Sequence, residues 1–255
     1  MKSQRGYLID MIKFSYPNEP FFRKGKSVSR FKILGERCSG TYYAQRLIEH
    51  NLNIEHCEEY GHKHFWTKRK EGYPKDLLLV IMVREPYTWA ESFYRKKWHV
   101  PEHFHSLNFS DFITSEFFSI KDQNIPNIAG EVGEEIMADR NLITMKRHKN
   151  LFALRSYKLN FIFHEFPKMC QNMVVLRLED LQEDFETTLR LLSKKFRIQP
   201  RNERFEDLLH YKGNTTLPLY EKRDLSLSDE EIGLVNQNLD WHWETIMSYQ
   251  RKIVT

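Results

Sequence analysis

The sequence predicts an α/β protein, a three-layer fold with a central, mainly parallel sheet flanked by helices. Three stretches carry that expectation. "RFKILG", residues 30–35, reads as a short strand that runs through a glycine loop into the helical pattern "YYAQRLIEHNL". "DLLLVIMV", Asp76 to Val83, is a continuous apolar run of strand length, which suits a strand buried on both faces of a parallel sheet. "MVVLRLEDL", Met173 to Leu181, reads as another buried strand before the helix "QEDFETTLRLLSKKF". Strands alternating with helices imply right-handed crossovers.

Taken in order, residues 1–30 read as polar and irregular, ending in "FFRKGKSVSR". In the first helix Tyr43, Leu47 and Ile48 share a face. Pro86, directly after the second strand, is placed as a first helical residue, where its missing N–H is not needed. Between His99 and Pro167 the pattern reads as mostly helical and rich in aromatics. The tail "SDEEIGLVNQNLDWHWETIMSY" starts with Ser228 as N-cap and continues as a helix. There is no internal repeat and no low-complexity linker, so residues 1–255 are expected to form one domain.

Composition narrows the classes. Forty per cent hydrophobic residues build a core, and 39 basic against 35 acidic residues leave a formal charge of only +4. That balance suits an anionic ligand in a local pocket better than a nucleic-acid track. The basic runs "KHFWTKRK" and "KRHKN" read as solvated faces. Cys38, Cys57 and Cys170 are too scattered for a disulfide framework. No apolar run approaches the roughly 20 residues of a membrane helix, and the first residues lack the apolar core of a signal peptide. A soluble, cytoplasmic protein is the expectation.

Gly35 and Gly40 have the G-x-x-x-x-G spacing of a P-loop, so the expected fold is a P-loop-containing one. A strand, a glycine loop and a helix put backbone N–H groups and the helix dipole where they bind phosphate oxygens. An ordinary tight turn would use the same two glycines. Arg37 adds charge, and Ser39 and Thr41 add hydroxyls. The usual Lys-Ser/Thr pair is missing: Gly40 is followed by Thr41 and Tyr42. In a kinase that lysine reaches the β/γ-phosphates and the next residue holds Mg²⁺. The second strand also ends in Arg84 rather than in a metal-holding Asp. Both features suit phosphate bound without metal.

Together these motifs resemble the sulfotransferases that use 3′-phosphoadenosine 5′-phosphosulfate (PAPS), in a bacterial-type form. The family loop, close to K-S-G-T-T, holds the 5′-phosphosulfate. "RCSGTYY" matches it at Ser39, Gly40 and Thr41, with Tyr42 at the second threonine and Cys38 at the lysine, one residue after Arg37. The family's second motif is a strand ending in R-N-P, with Ser eight residues after the Arg. "VIMVREPYTWAESFYR" gives Arg84, Pro86 and Ser92, with Glu85 for Asn. The resemblance implies that Arg84 and Ser92 bind the 3′-phosphate. The E-D-L turn at Glu179 and Asp180 is expected to act as scaffold by capping its helix. Lys212 and Gly213 in "HYKGNTT" faintly resemble a late R-K-G loop that contacts the 3′-phosphate, and read equally well as a solvated turn. The matches span Phe31 to Phe196.

Cytosolic members carry K-T-H in the interval occupied here by "YGHKHFW". The resemblance implies His64 as the base and Lys63 as the cation beside it, although an exposed polar turn is an alternative. Glu36 and Glu58 remain alternative bases. "HCEEYGHKH" invites a metal reading through His56, Cys57, His62 and His64, but no second cluster completes a zinc motif. The implied reaction is sulfuryl transfer from PAPS, giving the desulfated nucleotide PAP and needing no metal. The acceptor would be a small molecule or carbohydrate with a hydroxyl or amine, met by the 99–167 insertion. A small-molecule kinase with a degenerate P-loop and a non-catalytic nucleotide-binding member are the alternatives.

Overall fold

The computed structural model describes residues 21–23, 27–210, 214, 216–219 and 224–254. Five strands form one sheet: β1 (Phe21–Arg23), β2 (Arg30–Gly35), β3 (Glu55–His56), β4 (Leu77–Val83) and β5 (Asn172–Arg177), in the order β1-β5-β4-β2-β3. β2, β3, β4 and β5 run parallel, and β1 lies antiparallel on β5. The strand at residues 21–23 corrects the expectation of an irregular 1–30. Three residues carry no readable period, and their strand state comes from pairing with Val175, Val174 and Met173.

Every residue of β4 is buried, as a central parallel strand requires. Its alternate side chains serve two cores. Leu78, Val80 and Met82 pack with Ala44, Leu47 and Ile48 of α1 (Thr41–Asn51) on one face. Leu79, Ile81 and Val83 pack with Leu159 and Ile162 on the other. Tyr43 lies half-buried against the first of these cores. The sheet is thus flanked by helices on both faces.

After β4, α2 (Pro86–Lys96) begins with Pro86 at its first position, and Glu85 caps it by accepting the Thr88 N–H. The segment between His99 and Pro167 is less helical than expected. It holds α3 (Phe109–Thr114), two short 3₁₀ turns and the longer α4 (Leu151–His164); residues 115–150 are otherwise turns and isolated bridges. Its aromatic spacing reflects a third core, where Trp89 and Phe93 of α2 meet Phe104, Phe112, Phe117 and Phe152. A four-residue helix, α5 (Phe166–Met169), leads to β5. The strand expected over Met173–Leu181 ends at Arg177, and the helix after it is broken into α6 (Leu178–Glu183) and α7 (Phe185–Phe196). Asp184 caps α7 through the Thr187 N–H; Glu179 and Asp180 lie in the first turn of α6 and do not cap it. Ser228 caps α8 (Asp229–Asn238) in a full capping box with Glu231, and Asp240 restarts the chain as α9 (Trp241–Ile246).

The strand order has one reversal. β2 connects outward to β3, while β4 connects outward to β5 on the opposite side. The carboxyl ends of β2 and β4 therefore flank the switch point where α/β sheets open a crevice. Arg155 of α4 ties this end of β4 to α9. Its Nε and Nη2 donate to Glu244 at 2.6 and 2.8 Å, and Nη2 also reaches the Arg84 carbonyl at 2.8 Å. Both partners are buried. Glu244→Gln leaves that guanidinium without its counter-charge, and chemical denaturation should show a loss of about 3–5 kcal/mol.

Candidate functional site at the carboxyl ends of β2 and β4

The loop from β2 to α1 is shaped by two glycines. A Cβ on Gly35 would fall 2.7 Å from Ser39 Oγ and 2.8 Å from the Met82 carbonyl oxygen. Gly40 has φ 82°, and a Cβ there would meet Leu178 Cδ1 at 2.5 Å. Cys38 is also left-handed, at φ 64°, an uncommon conformation for a residue with a side chain. Ser39 folds the turn on itself: its hydroxyl donates to the Glu36 carbonyl at 2.6 Å and its N–H donates to the same oxygen at 3.2 Å. That hydroxyl is committed inside the loop. No side chain caps α1, whose first residue, Thr41, is buried.

Arg37 does not face the crevice. It is 1% exposed and its guanidinium donates to Glu36 Oε1 at 2.9 Å, Ser119 Oγ at 2.7 Å and Asp139 Oδ2 at 2.8 Å. The faces of Phe65, Phe93 and Phe117 surround it at 4.6–5.6 Å. This corrects the expectation of a ligand-binding cation, because burial demands that the charge be spent on internal partners. Lys158 of α4 closes the cluster, with Nζ 3.0 Å from Glu36 Oε2 and 2.6 Å from Asp139 Oδ1. It also donates to the His64 carbonyl at 2.6 Å. Burial would raise the Glu36 carboxyl, but Lys158 and Arg37 outweigh it and hold it below its usual range. With both its oxygens engaged by Arg37 and Lys158 inside this buried cluster, Glu36 is a poor candidate base. Glu58 is exposed and bonded to His56 and Lys32, none of them in the loop. The sequence reading missed Lys158, Asp139 and Arg155. The signal it offered was two cations three residues apart within the apolar "LFALRSYKLNFIFH".

Cys38 stands between Arg84 and Ser92. Arg84 Nη1 donates to the Cys38 carbonyl at 3.1 Å, and Arg84 Nε donates to Thr88 Oγ1 at 3.2 Å. The Cys38 thiol points to the Ser92 carbonyl at 3.7 Å. Burial pushes that thiol up to about 11, so Cys38 supplies no charge, positive or negative. Among the described residues no hydrogen bond is made by Arg84 Nη2 to a side chain or carbonyl. Below the loop, a cavity of about 20 Å³ lined in part by Glu36, Arg84, Arg155 and Lys158 has room for water.

The "GHKH" segment returns to this end of the sheet. The Gly35 N–H donates to the Lys63 carbonyl at 3.0 Å. His64 Nδ1 is 2.6 Å from the Gly35 carbonyl, and a carbonyl only accepts, so Nδ1 carries the hydrogen and Nε2 keeps its lone pair. Burial and the Lys63 charge hold this imidazole well below its usual value, and it is neutral at pH 7. Lys63 Nζ lies 3.2 Å from the ring centre of Tyr42, the second residue of α1, which brings a cation to the start of that helix. His56 and Cys57 do not join this group. Cys57 is buried in the core, and His56 contacts Glu58 and Gln45. Among the described residues no group of three or more His, Cys, Asp or Glu is placed to hold a metal ion. Lys212 lies outside the described residues.

Because the Glu36 carboxyl sits lower in the folded chain than its unfolded value of 4.5, its stabilisation is complete above that value. It drains away as the pH falls toward the folded value. Wild-type stability should therefore drop through this acid window. Glu36→Gln should be less stable at pH 7 and lose the corresponding slope, as read by urea denaturation between pH 7 and pH 3. No protein-family model matches the chain, and no curated protein matches it.

Proposed function

We propose that this chain is a sulfotransferase that moves a sulfuryl group from PAPS to an acceptor hydroxyl. One observation carries the reading: at Cys38 the glycine loop meets the Arg84 guanidinium, from the end of β4, and the backbone carbonyl of Ser92 in α2, beside the uncapped start of α1. The two motifs of the sequence resemblance are thereby neighbours at the carboxyl ends of β2 and β4, which supports their binding one anionic ligand between them.

The residues fit most of what such a donor needs. The start of α1 offers N–H groups and a positive dipole end for a 5′-phosphate. Arg84, anchored through Nε and Nη1, would hold the 3′-phosphate. The loop supplies no cation of its own, since Arg37 is turned inward and Cys38 is a neutral thiol. Lys63, seated on Tyr42, takes that place and stabilises negative charge on the leaving phosphate. PAPS supplies the activated sulfuryl group. His64 removes the proton of the acceptor hydroxyl at Nε2, as the acceptor oxygen bonds to sulfur and the sulfur–phosphate oxygen bond breaks. The Gly35 carbonyl holds the imidazole in the tautomer that can do this. A non-catalytic nucleotide-binding module is the second reading, favoured by the cation-free loop.

Calorimetry should show that PAP binds with clear preference over 5′-AMP, which lacks the 3′-phosphate. Arg84→Ala should weaken PAP by about 1.5–3 kcal/mol; equal affinity for the two nucleotides removes the assignment.

His64→Ala should slow transfer from radiolabelled PAPS by about 10²–10⁴-fold and leave PAP binding unchanged. Lys63→Ala should lower both. Nucleotide binding with no transfer to any hydroxyl selects the non-catalytic reading.

A further inference from the structure

The ladder of β4 ends at Val83, and α2 begins at Pro86. The peptide between Arg84 and Glu85 lies in that gap, so neither the sheet nor the helix takes up its C=O and its N–H. Two charged side chains do. Arg155 Nη2 donates to the Arg84 carbonyl at 2.8 Å, and Glu179 Oε1 accepts the Glu85 N–H at 2.9 Å. A base and an acid thus hold the two ends of one peptide dipole, each at the end of opposite partial charge.

Both partners are held in turn by one short stretch of chain. Arg155 is paired with Glu244 of α9. Glu179 Oε2 accepts the Tyr249 hydroxyl at 3.0 Å. The Tyr249 N–H donates to the Glu244 carbonyl at 2.9 Å, so residues 244–249 tie the two partners to each other. Tyr249 is buried. Burial and the Glu179 charge hold its hydroxyl well above the ordinary range, so it keeps the proton it donates. Ser248, just before it, is left-handed at φ 63°, a conformation that persists only where the surroundings over-determine it. Arg177, at the end of β5, closes over this turn: its Nη1 donates to the Met247 carbonyl at 3.3 Å, and its guanidinium carbon lies 5.2 Å from the Tyr249 ring centre. Glu179 does not cap its own helix; its two oxygens go to partners 94 and 70 positions away.

We infer that Glu179 and Tyr249 are positioning residues for Arg84: with Arg155 and Glu244 they clamp the Arg84–Glu85 peptide and so fix the point from which the Arg84 side chain reaches an anion. The bonds of Arg84 itself, from Nε to Thr88 and from Nη1 to the Cys38 carbonyl, aim the guanidinium only as well as its backbone is placed. A displacement of about 1 Å in such a group is costly. That the anion is the 3′-phosphate of a nucleotide rests on the proposed function; that Glu179 and Tyr249 hold Arg84 does not.

The test follows the Arg84 Nε–H of the full chain, labelled with ¹⁵N and free of nucleotide, by NMR relaxation, and then the dissociation constants of PAP and 5′-AMP by calorimetry. The signal is assigned with Arg84→Ala. In the wild type this N–H should be as ordered as the backbone. Glu179→Ala should loosen it and speed hydrogen exchange at the Glu85 amide. It should also raise the PAP dissociation constant about tenfold, the loss of one hydrogen bond to a charged group, and leave 5′-AMP unchanged. Glu179→Gln should restore both readouts, because its carbonyl still accepts the Glu85 N–H and its amide can donate to the Tyr249 oxygen. Tyr249→Phe keeps the buried ring and loses only the hydroxyl; it should act in the direction of Glu179→Ala, and it decides the matter if Glu179→Ala does not fold. A mobile Arg84 Nε–H in the wild type, a loss of urea stability with no loss of Arg84 order, or a Gln variant no better than Ala overturns the inference. So does an unchanged PAP constant in a chain that prefers PAP. Loosening of Arg84 in these variants, in a chain with no preference for PAP over 5′-AMP, keeps the clamp and loses the sulfuryl-transfer reading.

Discussion

The structure turns on a buried network of four charges. Glu36 and Arg37 come from the loop after β2, Asp139 from the turns of the 115–150 segment, and Lys158 from the middle of α4. Two acids against two bases leave no net charge, and Ser119 and the His64 carbonyl take up remaining donors. Desolvating four ions is unfavourable, and only complete pairing offsets it. A half-formed network would be worse than an apolar core, so the loop, the helix and the irregular segment adopt their positions together or not at all. The irregular segment, which has almost no regular structure of its own, is held in place by this electrostatic demand and by the phenylalanines around Arg37.

That network also explains how the crevice is organised. With Arg37 drawn beneath the loop, the loop's upper surface is left to backbone and to Cys38. The cations nearest the loop and the start of α1 come from outside the loop, Arg84 at the end of β4 on the Cys38 carbonyl and Lys63 on the ring of Tyr42. Because Lys158 grips the His64 carbonyl while the His64 ring binds the Gly35 carbonyl, the imidazole is referenced at both ends to the same strand and cluster. A side chain in a connecting segment thereby gains the positional precision of a sheet residue.

Much of the fold was legible because its signals are local. The unbroken apolar run of β4, Pro86 at the start of α2, the glycines of the loop and Ser228 ahead of α8 each state their structure within a few residues. The switch point follows from those elements. What escaped reading is what depends on distant partners. Arg37 and Asp139 are 102 positions apart, and nothing near Arg37 in the sequence distinguishes a ligand-facing cation from a buried one. The break at Asp184 was hidden because acidic residues on both sides suit either a continuous helix or a capped restart. The aromatics between residues 99 and 118 gave a core but not a backbone state, since rings pack equally well from turns.

The desolvation of the half-buried Cys38 thiol has a chemical consequence. With its thiol raised to about 11, Cys38 is protonated at pH 7, and the thiolate is the form that attacks oxidants and alkylating agents. A cysteine beside a cation such as Arg84 would ordinarily have its thiolate favoured. Here the desolvation that raises the half-buried thiol keeps it in its less reactive protonated form.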